Sequence, residues 1–114
     1  MSTEKKYKTF WSFYPYYLRE HANSKNRVLH FTGTALLLVA LVAGLVTGRW
    51  FFFAIVPVLG YGFAWVGHYF IEKNRPATFT YPLYSLLSDF VMFWDMLTGQ
   101  LVGKIQAANE SRID

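Results

Sequence analysis

Two long stretches without a charged residue dominate the pattern of polar and apolar positions. Residues 28–48 and 50–71 contain no Lys, Arg, Asp or Glu, and Arg49 alone separates them. Each stretch reaches the ~20 apolar residues that an α-helix needs to cross a bilayer, and Gly48 beside Arg49 marks a tight turn. The pattern therefore predicts a transmembrane helical hairpin. A hairpin buried in a soluble bundle is disfavoured, because so short a chain cannot cover two helices that are apolar on every side.

The segment before the hairpin is aromatic. Residues 10–22 (FWSFYPYYLREHA) are crowded with Trp and Tyr, which settle at the depth of the lipid headgroups. We predict an interfacial helix here, and Pro15 leaves open whether that helix is continuous. The polar run at 23–26 (NSKN) then ends it and turns the chain into the bilayer.

Residues 82–103 form a further segment that is long enough to span a membrane but contains Asp89 and Asp95. A carboxylate facing lipid near the bilayer centre costs ~2.5–3.5 kcal/mol. The polar and small residues recur at intervals of three and four, however, so they share one stripe of a helix. The stripe comprises Ser85, Ser88, Asp89, Met92, Asp95, Met96 and Gly99. We favour a third membrane-embedded helix with this stripe turned toward the bundle interior, and an orientation flat in the interface stays open.

Together these segments predict an all-α protein, a small integral membrane helical bundle with an interfacial N-terminal helix, a transmembrane hairpin and a third membrane-embedded helix. We expect one such domain over residues 10–103, between a basic N-terminal tail (1–9) and a polar C-terminal tail (104–114). Lys and Arg are concentrated before the first span and return at Lys73 and Arg75, whereas Arg49 stands alone in the turn. The positive-inside rule then places the N-terminus and both ends of the hairpin in the cytoplasm. The membrane would be the inner membrane of a bacterium, or the endoplasmic reticulum in a eukaryote.

Composition narrows the functional classes. The 114 residues are 54% hydrophobic and only 16% charged, which argues against disorder and against a nucleic-acid partner. Because the basic residues flank the apolar spans, the net charge of +4 fits a lipid bilayer better than a polyanion. The absence of cysteine excludes disulfides, thiolate-bound zinc and thiol catalysis.

The three histidines are placed to meet at one end of the hairpin. His30 lies near the start of the first span and His68 near the end of the second, so an antiparallel hairpin brings them to nearly equal depth. His21 joins them if the interfacial helix folds against the hairpin mouth, and Glu72 follows His68 by four residues on the same helix face. Three imidazoles and a carboxylate would suit iron, manganese or zinc. The alternative is that these are ordinary polar residues at headgroup depth.

At these residues the chain resembles the 2-hydroxy fatty acid dioxygenases, a family with a fungal endoplasmic-reticulum enzyme of phytosphingosine degradation and shorter bacterial relatives. The matching segments are 17–21 (YLREH), 26–30 (NRVLH), 33–34 (GT), 65–68 (WVGH), 72–77 (EKNRPA), 81–82 (YP) and 85–86 (SL). The resemblance extends from about His21 to Gly99. The chain is shorter than the fungal form between the two halves of the motif, which bears on topology and substrate more than on the metal site.

The resemblance implies an Fe(II)-dependent, membrane-embedded oxygenase. Its presumed iron ligands are His21, His30 and His68, and Glu72 is either a fourth ligand or an outer carboxylate. The implied reaction converts a long-chain 2-hydroxy fatty acid and O2 to the acid one carbon shorter, CO2 and water. Because this reaction balances without an outside reductant, it requires no flavin, nicotinamide or 2-oxoglutarate.

Three further residues have expected roles in that reaction. Arg75 or Lys73 would neutralise the substrate carboxylate, and Asp89 would orient a ligand histidine through its free ring N–H. Two rival interpretations stay open: a non-enzymatic membrane scaffold or lipid-binding protein, and a metal-dependent lipid hydrolase that uses zinc-bound water. A metal requirement separates the scaffold from the enzymes, and O2 consumption separates the hydrolase from the dioxygenase.

Overall fold

A computed structural model describes residues 6–110 of the 114-residue chain. Over that range the regular structure is helical throughout, which confirms the all-α prediction. The helices are α1 (Phe10–Arg19), α2 (Ser24–Thr47), α3 (Phe51–Val66), α4 (Pro82–Thr98) and α5 (Leu101–Glu110). A π-helical turn, Gly67–Glu72, prolongs α3, and a 3₁₀ turn, Ala77–Phe79, precedes α4. Residues 1–5 and 111–114, the outer parts of the two predicted tails, lie outside the described residues.

Helices α2 and α3 form an antiparallel hairpin. Gly48 ends α2 in the left-handed conformation (φ 71°), which glycine adopts without a steric cost. Gly33 lies so close to α3 that an added Cβ would be 2.8 Å from the Leu59 carbonyl oxygen, and Gly44 lies against the Phe53 ring. Both α2 and the continuous segment Phe51–Glu72 are long and apolar enough to cross a membrane.

Asn26 and Gly67 lie in close contact at the end of the hairpin where His30 and His68 lie. A Cβ on Gly67 would lie 1.7 Å from Asn26 Oδ1, so only glycine fits there. Asn26 is one helical turn before His30, and Gly67 precedes His68 directly. This contact therefore sets the separation of the two histidine-bearing segments. Gly62, by contrast, has open space around it.

Helix α1 forms the core of the remaining half together with α4 and α5. Thr9 caps it through a reciprocal pair of hydrogen bonds with Ser12, and the helix runs unbroken through Pro15. One face of this aromatic helix is turned inward, where its rings pack on one another and on Tyr81 and Tyr84, and Trp11 is exposed on another face. The inward-facing residues are Phe13, Tyr14, Tyr17 and Leu18.

The single helix expected over 82–103 is in fact two helices. Gly99 adopts φ 76° and ends α4, after which α5 turns back to pack on α1. Buried Asp95 secures this corner, since it accepts hydrogen bonds from Tyr14 Oη (2.7 Å) and from Lys104 Nζ (2.9 Å). Residues 104–110, assigned to a polar tail from the sequence, are helical here, and Ala108 among them is buried.

The polar stripe predicted on this segment lies where expected along α4. Its buried members are Ser85, Ser88, Met92 and Asp95. Leu83, Leu87 and Trp94 lie on the opposite face and are exposed. The stripe thus packs toward α1 and α2, and it carries Asp89 into the region between them.

The contact between Asn26 and Gly67 predicts that alanine at position 67 destabilises the protein much more than alanine at position 62 does. Gly67→Ala forces the hairpin apart, so we expect the free energy of unfolding to fall by about 1–3 kcal/mol, as for other overpacked sites. Gly62→Ala, which meets no neighbour, should be neutral or mildly stabilising, because alanine favours a helix. Thermal unfolding in detergent, followed by circular dichroism, measures both. Equal melting temperatures for the two variants would contradict the close approach.

Candidate metal centre

The three histidines come from three different elements and meet in one buried cluster. His21 follows the end of α1, His30 lies in the second turn of α2, and His68 is in the π-helical turn. They are 1%, 5% and 3% exposed, respectively. Their potential ligand atoms all lie within 4.8 Å of one another, and the ring centroids are 4.4–5.0 Å apart. The juxtaposition expected from the hairpin is therefore present, with His21 included.

Each of the three rings is oriented by a hydrogen bond at its Nδ1 atom. Nδ1 of His21 lies 2.6 Å from the Tyr17 carbonyl oxygen, and Nδ1 of His30 lies 3.0 Å from that of Asn26. Carbonyl oxygens only accept, so both Nδ1 atoms carry the proton. Nδ1 of His68 lies 2.7 Å from Asn74 Oδ1, whose amide group is oriented by donation from Nδ2 to the Glu20 carbonyl (3.0 Å). The Nε2 atoms are thus left with free lone pairs.

The free lone pairs of two of these rings face each other. Nε2 of His21 and Nε2 of His30 are 3.1 Å apart, yet neither has a proton to donate in the tautomer that its Nδ1 bond selects. Two acceptors at this separation repel unless a cation lies between them or a proton is shared. Burial, together with the neighbouring His30 and His68, lowers the pKa of His21 well below its ordinary value. The neutral imidazole that a metal ion requires is the favoured form.

The loop that carries His21 is fixed from two sides. Arg27, in the first turn of α2, donates from one guanidinium nitrogen to the carbonyls of His21 (2.7 Å) and Ala22 (2.8 Å). Asn74 holds the preceding carbonyl of Glu20. The Tyr17 ring stacks on the imidazole of His21 with centroids 4.0 Å apart. His21, the histidine outside the hairpin, is therefore held in place by hydrogen bonds to its loop and by ring stacking.

A small cavity of about 10 Å³ adjoins the three rings, roughly the space that one water-sized sphere occupies. Its wall includes Tyr61, Trp65, Ser85 and Asp89 besides the histidines. Ser85 Oγ is buried and has no hydrogen-bond partner among the described residues. A polar group without a partner beside the cluster is available to a ligand that enters there.

Asp89 contacts the cluster through Tyr17 and not, as expected, through the ring N–H of a histidine. All three Nδ1 atoms have other partners, so no histidine ring donates to Asp89. The carboxylate instead accepts a hydrogen bond from Tyr17 Oη, and Tyr17 stacks on His21. Burial and the Asp89 carboxylate raise the pKa of Tyr17 well above its ordinary value.

Glu72 lies outside the cluster of ligand atoms. Its Oε1 accepts from the Asn23 backbone N–H (2.7 Å) and from Asn26 Nδ2 (3.3 Å), at the start of α2. The expectation that Glu72 shares a face with His68 assumed an α-helix, in which residues four apart are neighbours. The segment is π-helical instead, with i→i+5 hydrogen bonds, and the Glu72 carboxylate bonds to the start of α2 rather than to a histidine.

The two predicted carboxylate-binding cations are at the surface. Lys73 and Arg75 are both exposed, and neither contributes to the wall of the small cavity. The Arg75 guanidinium lies over the Phe79 ring at 4.9 Å, and Phe79 in turn packs on Trp65 of the cavity wall. Arg75 therefore packs, through Phe79, on the outer side of the cavity wall.

Sequence reasoning missed Asn74 as the partner of His68. Lys73 takes a left-handed conformation (φ 60°), and the backbone N–H groups of both Lys73 and Asn74 return to the His68 carbonyl. This tight return places the Asn74 amide beside the His68 ring. No local signal in the sequence announces it, because lysine rarely adopts positive φ.

The residues present fit a single metal ion. Three neutral imidazoles without a thiolate are donors that iron and other first-row metals accept. Histidine ligands usually donate their second ring nitrogen to a carbonyl or carboxyl oxygen, as all three do here. The cluster could therefore hold a metal, and iron is consistent with its donor set.

Comparison with known proteins gives a family assignment. The model of the family described as 2-hydroxy-palmitic acid dioxygenase Mpo1-like matches residues 7–101, which is most of the chain and includes all three histidines. No curated protein matches, and no solved structure matches. The chain belongs to the 2-hydroxy-palmitic acid dioxygenase Mpo1-like family.

Proposed function

We propose that this protein is an Fe(II)-dependent membrane dioxygenase that shortens long-chain 2-hydroxy fatty acids by one carbon. The observation that carries the proposal is the buried histidine cluster, whose Nε2 lone pairs converge without a proton between His21 and His30. The family description supplies the reaction class. Fe(II) bound by the three imidazoles would provide redox chemistry and open coordination positions.

The reaction is balanced without another electron donor. A 2-hydroxy acid, RCH(OH)COOH, and O2 give RCOOH, CO2 and H2O, so the bond between the carboxyl carbon and the hydroxyl-bearing carbon breaks. Both carbons are oxidised, and all of the electrons they lose go to O2. The chain therefore needs to bind the acid, exclude bulk water and manage one hydroxyl proton.

The side chains around the cavity are suited to those tasks. Ser85 Oγ is free to donate to the substrate carboxylate, whereas the Asp89 carboxylate would repel that anion and face the 2-hydroxyl group instead. Asp89 can accept the hydroxyl proton at its carboxylate oxygen. Arg75, which lies outside Phe79 and Trp65, would attract the acid to the entrance of the small cavity. Lys73 would contribute a second positive charge there. In this scheme Glu72 acts on the site through the start of α2, and the alternative is that it moves to become a fourth ligand.

A membrane location is part of the proposal. Leu45 and Val46 on α2 are 76% and 79% exposed, and Val58 on α3 is 69% exposed, so the apolar face of the hairpin has no cover within the described residues. An apolar surface of this extent is expected to contact lipid. We place the open end of the hairpin, with the histidines, at the cytoplasmic side, because Lys and Arg accumulate there. The membrane would then be a bacterial inner membrane, or the endoplasmic reticulum of a eukaryote.

Single cysteines test the topology, because the natural chain has none. Arg49→Cys should react with a membrane-impermeant thiol reagent from the outer side of intact cells or spheroplasts. Lys25→Cys and Thr80→Cys, both exposed near the open end, should react only after permeabilisation. Labelling of all three positions from the same side would contradict the hairpin.

The metal and the reaction are tested together on purified protein in detergent, reconstituted with Fe(II) without oxygen. We expect one iron per chain, and O2 consumption on addition of 2-hydroxyhexadecanoic acid, with formation of the acid one carbon shorter and CO2. His30→Ala and His68→Ala should lose both iron and turnover, because each removes one of three anchoring ligands. Tyr69→Ala, exposed in the same π-helical turn, is the matched control and should retain both.

The outcomes of that experiment separate the alternatives. Bound metal without O2 consumption for any 2-hydroxy acid would retain the metal site and reject the dioxygenase reaction, as expected for a hydrolase. Absence of bound iron, with histidine variants that behave as the parent protein does, would favour a scaffold or lipid-binding protein.

The hydrogen bond from His68 to Asn74 predicts a graded effect on metal affinity. Asn74→Ala removes the acceptor, and we expect the iron affinity to fall by about 10–100-fold, as for other groups that orient ligands. Asn109→Ala, exposed on α5, is the control and should leave the affinity unchanged. Glu72→Gln keeps an acceptor for Asn23 and should also retain iron. Loss of iron from Glu72→Gln would instead identify Glu72 as a fourth ligand.

A further inference from the structure

A second, larger cavity extends from the histidine cluster into the helical hairpin. It has a volume of about 280 Å³ and lies between α2, α3 and α4. His30, Tyr61 and Asp89 line both this cavity and the small one beside the three rings. The two spaces therefore adjoin at these side chains, with the polar groups at one end only.

Beyond that junction the larger cavity is apolar. Thr34, Leu37 and Leu41 follow His30 along one face of α2, and Leu86 and Phe90 approach from α4. Thr34 is the one side chain with a hydrogen-bonding group in the wall away from the junction. Water needs several polar partners to occupy such a space, so an apolar guest is favoured. An apolar space with its polar groups at one end matches an alkyl chain that carries a polar head.

The length of the cavity can be judged from α2. Leu41 is eleven residues beyond His30, which corresponds to about 16 Å along the helix axis at ~1.5 Å per residue. An extended alkyl chain advances roughly 1.3 Å per carbon, because C–C bonds of about 1.5 Å zigzag along it. The distance from the histidines to Leu41 therefore corresponds to about twelve carbons.

Gly60 keeps the middle of the cavity open. A Cβ at this position would lie 3.2 Å from Cδ2 of Leu37, across the cavity wall. Leu37 is seven residues beyond His30, about 10 Å along α2, or roughly eight carbons from the histidines. A large side chain at position 60 would thus obstruct a long alkyl chain while leaving room for a short one.

We propose that this cavity binds the alkyl chain of the 2-hydroxy acid, and that Gly60 and Leu41 determine which chain lengths are accepted. The inference rests on the proposed function, since it takes the substrate to be a 2-hydroxy acid whose head lies at the histidines. The carboxylate lies near Ser85 with the 2-hydroxyl group toward Asp89, and the chain runs along α2 toward Leu41. A chain in this position enters at the headgroup level and points toward the bilayer interior, as free fatty acids do.

The test measures binding rather than turnover. Metal-free protein in lipid nanodiscs is titrated with 2-hydroxyoctanoic or 2-hydroxyhexadecanoic acid in competition with a fluorescent fatty acid. Gly60→Leu should weaken binding of the long acid by about tenfold or more, the usual penalty for a methylene that does not fit. The short acid should bind within about twofold of the parent value, as for substitutions remote from a ligand. Gly62→Leu, two residues away in open space, is the matched control and should change neither affinity.

A second variant keeps the test decisive if Gly60→Leu fails to fold. Leu41→Trp fills the far end of the cavity and should weaken binding of the long acid without affecting the short one. If both variants fold and keep the parent ratio of affinities, the cavity does not hold the chain and the inference is overturned. Displacement of the fluorescent fatty acid by phospholipid but not by the long acid would also overturn it, because a bilayer lipid would then be the occupant.

Failure of this inference is distinguishable from failure of the proposed function. If the variants change chain-length selectivity in binding but the iron-loaded parent consumes no O2, the cavity assignment stands and the reaction is rejected. If the parent consumes O2 but selectivity is unchanged in every variant, the reaction stands and the cavity assignment is rejected.

Discussion

Nε2 of His21 and Nε2 of His30 face each other without a proton between them, and the elements around the cluster must hold this unfavourable pair in place. The carbonyls of Tyr17 and Asn26 hold the protons of His21 and His30 on the far side of each ring, so both near sides are acceptors. Both rings are buried, so bulk solvent does not reach the space between them. Such a pair is unfavourable unless a cation or a shared proton lies between the two nitrogens, and the surrounding structure holds the two rings at this separation.

Two halves of the molecule together hold the three histidines in place. The hairpin supplies His30 and His68, and the contact between Asn26 and Gly67 lies directly beside them. The other half, an aromatic core built on α1, α4 and α5, supplies His21 and the Tyr17 ring that stacks on it. The hairpin is apolar on its outer surface, whereas the aromatic core has tyrosine hydroxyls and Asp95 inside it. The histidine cluster lies where these halves meet, so a ligand there can have its head among polar groups and its chain among apolar ones.

The sequence predicted the features that depend on long-range patterning. Charge-free stretches are a strong signal, and an antiparallel hairpin places His30 and His68 at one end whatever its details. Features that depend on local departures from α-helical geometry were missed or misplaced. The left-handed Lys73 brought Asn74 to His68, and Gly99 divided one expected helix into two. Glycine at 99 and glycine at 67 look alike in a sequence, yet one ends a helix and the other admits a neighbouring side chain.

The π-helical turn also has a consequence for how this chain tolerates change. A π-helical turn contains one residue more than the α-helical path it replaces. Deletion of a residue from 69–72 would remove the extra residue and break the return of the Lys73 and Asn74 N–H groups to the His68 carbonyl, which would separate the Asn74 amide from the His68 ring. Tyr69 and Phe70 are exposed, so their side chains are free to vary. In this segment the number of residues is constrained more tightly than the identity of most of them.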